Sequence, residues 1–469
     1  MRGGGWKWAT VGDVGQYING MAFKPTDWGN EGRPIIRIQN LTDLSRPFNF
    51  TTRSVEQKFK VQDGDILVSW SATLDAFIWR GPEAVLNQHI FKVIPNRNVV
   101  SDAFLFYQLK HVIEEMWRGE HTHGSTMMHI NRGPFLAHPF WIAPLPEQHL
   151  IVAAIETHFS RVDAAVAALT RAKANVKRAR ASVLKAAVEG RLVPTEAALA
   201  RAEGRAYETG AALLVRILDE RRAAWAASGG RGKYKEPVGV GGDGGVGEVP
   251  EGWVWASCEQ LLRELQTGPF GSSLHASEYV SGGTPVVNPQ HIRGEHIVPM
   301  STVAVDETVA VRLRAFKLHE GDIVLGRRGE MGRCAVVRRS EAGWILGTGS
   351  LALRLVPDLN RTFFAWVLRS PATVRYLEGE SVGTTMTNLN QKILLDLPIP
   401  LPPLAEQRRI VAEVDRRLSV LDALDRSLDA NLARCGRLRQ AILKRAFEGR
   451  LVVAGASGGG VGVAEEAGV

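Results

Sequence analysis

Two stretches of this chain carry the hydrophobic pattern of long helices. Heptad positions a and d through 152–183 hold Val152, Ile155, Phe159, Val162, Val166, Leu169, Lys173, Val176, Arg180 and Val183, eight of ten apolar. Through 411–442 they hold Val411, Val414, Leu418, Leu421, Asp425, Leu428, Leu432, Cys435, Arg439 and Ile442, again eight of ten. A seam kept over so many heptads predicts a helix that pairs with another of its kind. Pro146 and Pro402-Pro403 suit the first turns, and Gly190 and Gly449 suit left-handed stops. A helix of 40-odd residues is roughly 60–70 Å long.

The two stretches are one element written twice. Residues 147–193 and 406–452 align without a gap at an offset of 259, with 20 identities in 47 positions. Both begin Glu-Gln and both end Glu-Gly-Arg-Leu-Val. The segments before them match more weakly but in order. Gly5-Trp6-Lys7-Trp8-Ala9 pairs with Gly252-Trp253-Val254-Trp255-Ala256, and Gly64-Asp65-Ile66 with Gly321-Asp322-Ile323. Gln39-Asn40 pairs with Gln290-His291, and Gly124-Ser125-Thr126-Met127 with Gly383-Thr384-Thr385-Met386. Short β-rich runs after Gly-containing turns alternate with helical runs such as 101–118 and 361–379. The fold class is therefore α/β: two mixed domains separated by two long helices with the pattern of a coiled coil, an internal repeat that becomes a pseudo-two-fold if the helices pair as an antiparallel coiled coil.

The boundaries follow. Residues 1–146 form a first domain and 147–193 the first long helix. Residues 194–250 are a helical segment (195–225) and a Gly-rich linker (228–248). Residues 251–403 form the second domain, 404–453 the second long helix and 454–469 a disordered tail. In an antiparallel pairing, Lys173 and Asp425 at opposite a positions are expected to meet and fix the register.

Composition adds direction. The chain of 469 residues has 57 Lys and Arg against 49 Asp and Glu, a net charge of +8. The two helical segments 147–193 and 404–453 each carry +4, so the excess sits on the rod. A basic protein suggests a polyanionic partner, most simply nucleic acid. Three scattered cysteines argue against a disulfide scaffold and fit a reducing cytoplasm. No apolar run long enough for a membrane span exists, and Met1–Thr10 lacks the apolar core of a signal peptide.

Catalytic chemistry is not legible. There is no phosphate-cradling Gly-x-x-x-x-Gly-Lys-Ser/Thr loop. Asn288-Pro289-Gln290-His291 departs from the Asn-Pro-Pro-aromatic turn of amino methyltransferases. The carboxylate pairs Asp63/Asp65 and Glu320/Asp322 sit at turns before strands. His111, His121, His123 and His129 lack the partners of a metal cluster. Trp6, Trp8, Trp253 and Trp255 read as core at a domain entrance. The expectation is a chain without a metal, a cofactor or an activity of its own.

The arrangement resembles the specificity subunit of type I restriction–modification systems. The resemblance covers nearly the whole chain. It is carried by Leu145-Pro146-Glu147-Gln148, Pro402-Pro403-Leu404-Ala405-Glu406-Gln407, the two Glu-Gly-Arg-Leu-Val ends, Lys233-Tyr234-Lys235-Glu236-Pro237 and Leu86-Asn87-Gln88-His89-Ile90. It implies two target-recognition domains that read a bipartite site in double-stranded DNA, set apart by a coiled-coil ruler. It also implies assembly with two adenine methyltransferase subunits and with ATP-dependent restriction subunits, the specificity subunit being non-catalytic. The alternative is the same module serving another phage-defence or single-chain restriction complex with different catalytic partners.

The internal comparison nominates base readers. Aligned positions that agree should build scaffold, and aligned positions that differ in polar character should read different half-sites. Ser69-Trp70-Ser71 aligns with Gly326-Arg327-Arg328, Asn87-Gln88-His89 with Thr348-Gly349-Ser350, and Asn40 with His291. Arginine suits guanine in the major groove, and Asn or Gln suits adenine. The DNA-contact candidates are Asn40, Ser69, Ser71, Asn87, Gln88 and His89 in the first domain. In the second they are His291, Arg327, Arg328, Thr348 and Ser350. The shared Ser125, Thr126, Thr384 and Thr385 are candidates for sequence-independent phosphate contacts.

Overall fold

The computed structural model describes residues 5–43, 45–118, 122–123, 129–229, 232–240, 247–270, 273–380 and 389–451. It divides into two compact units, Met1–Ala172 with Ser427–Val469, and Lys173–Arg426. Each unit holds one domain, the first part of that domain's own long helix and the last part of the other repeat's helix.

In the first unit, Lys7–Thr10 pairs antiparallel with Pro139–Ile142 and so closes the domain where the long helix begins. A four-stranded sheet follows in the order Gly15–Asn19, Ile90–Pro95, Ile66–Ser69, Asp75–Ile78. A second sheet runs Asn49–Thr51, Arg33–Ile36, Ala84–Leu86, Lys60–Val61, with its central pair parallel. The helix Asp102–Arg118 buries Phe104, Leu105, Leu109, Val112, Ile113 and Met116, the helical spacing of one apolar face.

The second unit repeats this plan. Val254–Ser257 pairs with Pro398–Leu401, and a sheet of order Leu262–Thr267, Ser350–Leu355, Ile323–Gly326, Cys334–Val336 matches the first. Its helical run is broken where a single one was expected. Arg361–Arg369 ends at Ser370 in extended conformation, and Pro371–Glu380 begins anew. Proline at 371 disfavours helical geometry in the residue before it.

The stretch 194–250 is more ordered than its composition suggests. Helices Glu196–Glu203 and Gly210–Ala227 are capped by Thr195 and Thr209, and Leu213 and Ile217 enter the core of the second domain. Gly210 is required by close approach, since a β-carbon there would lie 2.3 Å from the Leu401 carbonyl oxygen. Within the expected linker, the Val238 amide donates to Glu259 Oε2 (2.9 Å) and Tyr234 packs on Trp225.

The long helices span Leu145–Val188 and Leu404–Phe447 and pack antiparallel. Their direction is fixed by one ion pair in each unit, Arg439 with Asp163 in the first and Arg180 with Asp422 in the second. These are the same pair at the repeat offset of 259, with partners exchanged. Each sets an a-position arginine against an e-position aspartate of the other helix. That register places Asp425 opposite Lys177, so Lys173 stands a turn away from the position expected for it. Both helices end alike. Gly190 and Gly449 are left-handed (φ 67° and 71°), and the following amides of Arg191 and Arg450 reach back to Ala186 and Arg445. At Gly190 the conformation is doubly enforced, because a β-carbon would fall 2.5 Å from Pro250.

The Glu-Gln that opens each long helix clamps it to its domain. Glu147 Oε1 accepts the indole N–H of Trp6 (2.9 Å), and Glu406 Oε1 that of Trp253 (2.8 Å). Both tryptophans are buried, as expected of a domain entrance, whereas Trp8 is 59% exposed. Gln148 is fully buried. It accepts from the Ser101 amide (2.8 Å) and donates to the carbonyls of Val99 (2.9 Å) and Ala143 (2.8 Å). Gln407 does the same for the Asn360 amide (3.1 Å) and the Pro402 carbonyl (2.9 Å). Stranding buried backbone groups costs about 1–3 kcal/mol each. Gln148→Ala should therefore lower the stability of the first unit by about 2–4 kcal/mol, read from the urea midpoint of the full chain. A loss below about 1 kcal/mol would remove the clamp from this account.

Candidate nucleic-acid interface

In each domain the strands end together at one rim. In the first, Asn19, Ile36, Ser69 and Leu86 terminate their strands there, and Ile90 starts the next. The equivalent ends in the second are Thr267, Val287, Gly326, Leu346 and Ser350. The same backbone bonds hold both rims. Gly20 N–H donates to Ile90 O (2.9 Å) and Gly268 N–H to Ser350 O (3.0 Å). Trp70 N–H donates to His89 O (3.1 Å) and Arg327 N–H to Gly349 O (2.8 Å). Asn87 N–H donates to Ile36 O (3.1 Å) and Gly347 N–H to Val287 O (2.9 Å).

These bonds correct the sequence alignment by one residue. Ser69 pairs with Ile90, and Gly326 with Ser350. Asn87-Gln88-His89 therefore corresponds to Gly347-Thr348-Gly349, and Ser350 corresponds to Ile90. The alignment of Ser69-Trp70-Ser71 with Gly326-Arg327-Arg328 stands.

Five nominated readers are scaffold. Asn40 is fully buried. Its Oδ1 accepts from the Arg37 amide (3.2 Å) and its Nδ2 donates to the carbonyls of Arg46 (3.2 Å) and Pro47 (3.3 Å). His291 is 1% exposed and does the same work, with Nδ1 3.1 Å from the Asn288 amide and 2.9 Å from the Val286 carbonyl. Their polar difference reflects two ways of capping one turn. Ser69 is fully buried, with Oγ on the carbonyl of Thr73 and on the amide of Asp75 (3.2 Å). Ser350 Oγ donates to the Val287 carbonyl (3.1 Å), and Ser71 is buried. Side chains so placed cannot meet a base edge.

Other candidates remain at the surface. Gln88, Arg328 and Thr348 are exposed, and His89 and Arg327 are half-buried. Thr348 Oγ1 donates to the Pro269 carbonyl (3.0 Å), and Arg327 Nε to the Leu389 carbonyl (3.1 Å). Asn87 is half-buried, and its Oδ1 lacks a hydrogen-bond partner among the described residues. Ser125, Thr126, Thr384 and Thr385 lie outside the described residues, as does His121. The turn carboxylates serve the scaffold. Asp65 accepts from the Gln62 amide (2.7 Å) and pairs with Lys92 (2.6 Å), and Asp322 is buried against Arg354 (2.9 Å).

Sequence comparison passed over two kinds of residue. Gln39 and Gln290 are exposed beside the buried caps, but they are identical in both copies and so looked like scaffold. In the second domain, Gln290, Arg293, Arg333 and Arg369 line an open groove of about 550 Å³ beside the 327–332 loop. Glu330 pairs with Arg333 (2.6 Å) and Glu295 with Arg369 (2.8 Å), whereas Arg293 is exposed and makes no ion pair among the described residues.

The buried imidazole has a consequence in acid. Burial, reinforced by nearby Arg293 and partly offset by the Val286 carbonyl, holds the His291 pKa below its ordinary value. An unfolded chain takes up that proton near pH 6.5 while the folded one resists it, so stability is unaffected above that pH and falls as pH drops below it. His291→Asn, the residue its counterpart Asn40 uses, should keep the cap and flatten this slope between pH 7.5 and 5.5. An unchanged slope of urea midpoint against pH would assign the acid sensitivity elsewhere.

Among the described residues, no helix is long and apolar enough to cross a membrane, and no cluster of His, Cys, Asp and Glu is placed to hold a metal ion. The family model described as "Type I restriction modification DNA specificity domain" matches residues 4–170 and again 267–431. The chain is 22% identical over 451 residues to the type I restriction enzyme EcoBI specificity subunit of Escherichia coli, covering 95% of this chain and 86% of that protein. It is 23% identical over 476 residues to the EcoKI specificity subunit of Escherichia coli K12, covering 95% and 89%. A solved structure described under "complex assembly and conformational transition of the type I R-M system" superposes with a TM-score of 0.58 at 19% identity. It covers 96% of this chain and 100% of that one and shares the fold.

Proposed function

Because the chain belongs to the type I restriction–modification DNA specificity family, we propose that it reads a bipartite target in double-stranded DNA, one half-site per domain, with the helix pair fixing the gap between them. The observation that carries this reading is the pair of rims. Their backbone bonds are the same, while the side chains projecting past the strand ends differ: Trp70 against Arg327, Gln88 against Thr348, His89 against Gly349. A common frame with unlike side chains is what two unlike half-sites require. Residues 1–146 and 251–403 are the two recognition domains in this reading, and 147–193 and 404–453 the spacer. The modification partners are two adenine methyltransferase subunits, and restriction subunits join the same assembly.

Roles divide by position. Arg328, exposed two residues past the end of its strand, suits the O6 and N7 acceptors of guanine, and Gln88 suits adenine. Arg327 and Thr348 flank Arg328, and Asn87 flanks Gln88. Arg293 in the groove suits phosphate and fixes orientation without reading sequence.

Selection from a random duplex pool by the full chain should enrich two short half-sites around a constant gap. Arg328→Ala should relax one position of one half-site, at a cost of about 1–3 kcal/mol for the preferred base. Arg293→Ala should weaken all sequences alike and reduce the slope of log affinity against log salt by about 1. Enrichment of a single uninterrupted site, or of none, would refute the reading.

A further inference from the structure

We propose that His89 is the residue by which the first domain discriminates its half-site, contacting a purine edge, and that Trp70 is its positioning residue. This rests on the DNA-reading role proposed above and commits it to one side chain.

Among the described residues, only His89 (φ 70°) and Ala72 (φ 59°) hold a positive φ without being glycine. Both lie at the first domain's rim. Their counterparts in the second domain are Gly349 and Gly329, each at φ 82°. The left-handed shape is therefore part of the common frame, since Trp70 N–H meets the carbonyl of residue 89 just as Arg327 N–H meets that of 349. Glycine adopts this shape without penalty, and a residue with a β-carbon does not. Nothing in the backbone asks for histidine at 89. Unlike the other such position, Ala72, which holds only a methyl group, position 89 therefore holds an imidazole where glycine would fit without strain.

That side chain is held for presentation. The His89 ring meets the Trp70 ring edge-on, 4.7 Å between centroids. Trp70 is fixed in turn, stacked on Phe91 at 5.9 Å, with its indole N–H on Asn19 Oδ1 (3.0 Å). The histidine thus stands on a braced indole beside exposed Gln88. An imidazole N–H in the major groove meets N7, the acceptor that both purines present and pyrimidines lack. The second domain has no such pair. Arg327 turns its Nε to the Leu389 carbonyl, and Gly349 carries no side chain.

The test is selection from a random duplex pool with the full chain and its His89→Gly variant, alongside thermal unfolding of both. The expected result is a melting temperature no lower than wild type, because strain is relieved. One position of the first half-site should pass from purine only to all four bases, with at least a tenfold loss of preference, and the second half-site should be unchanged. His89→Asn, which also tolerates the left-handed backbone, should alter the base chosen at that position alone. Trp70→Phe should blur the same position. An unchanged first half-site in His89→Gly would overturn the proposal. A lowered melting temperature with both half-sites weakened would also overturn it, by making the ring a packing element. If wild type itself selects no bipartite site, the DNA-reading role falls first, and this assignment with it.

Discussion

The structure depends on the glutamate and glutamine at the head of each long helix, with Gln148, Glu406 and Gln407 buried and Glu147 half-buried. Glu406 is fully buried, and burial raises its pKa even though the Trp253 indole, the Glu196 amide and nearby Arg409 favour the charged form. A buried carboxylate is tolerated only when such donors surround it. The arrangement therefore ties three separate pieces of chain to one side chain: the domain entrance, the helix head, and the segment that follows the other repeat's helix. Gln407 ties a fourth, the Asn360 amide at the head of Arg361–Arg369. A domain so clamped cannot swivel on its helix without stranding several buried donors and acceptors at once.

The same economy governs the helix pair. Its seam is apolar, but apolar side chains alone allow several registers. Arg180 with Asp422 and Arg439 with Asp163 select one. They are partly exposed, so each is worth at most about 1 kcal/mol. Their role lies in the difference between registers rather than in total stability. They are one pair repeated at the repeat offset with partners exchanged, so each unit fixes its own stretch of the helix pair by the same contact.

How much of this was legible in the sequence depends on the periodicity and chemistry involved. The long helices announced themselves through heptads and glycine stops, and the repeat through Glu-Gln and Glu-Gly-Arg-Leu-Val. The candidate contact residues were harder. Asn40 and His291 differ in chemistry yet occupy one place, because a carboxamide oxygen and an imidazole nitrogen both sit against the amide three residues back. Gln39 and Gln290 agree in chemistry yet face solvent. Polar difference between repeats therefore does not separate scaffold from surface; burial does, and burial is a property of the folded chain. The one-residue slip at 87–89 has a related cause. What the two loops share is a left-handed residue at 89 and 349, and a histidine in that conformation looks nothing like a glycine in a sequence.

Duplication within one chain explains why the rims could diverge so far. Every bond common to the two rims is made by backbone or by buried caps. Side chains past the strand ends at 70, 88 and 89, and at 327, 348 and 349, take no part in that common frame. Apart from Trp70, which stacks on Phe91, they can change without disturbing the sheets behind them. In a symmetric homodimer, a change at such a position would alter both half-sites together and keep the target palindromic. Here the backbone frame is copied but the side chains past it are not, so the two rims can vary independently while the clamps and the helix register stay the same.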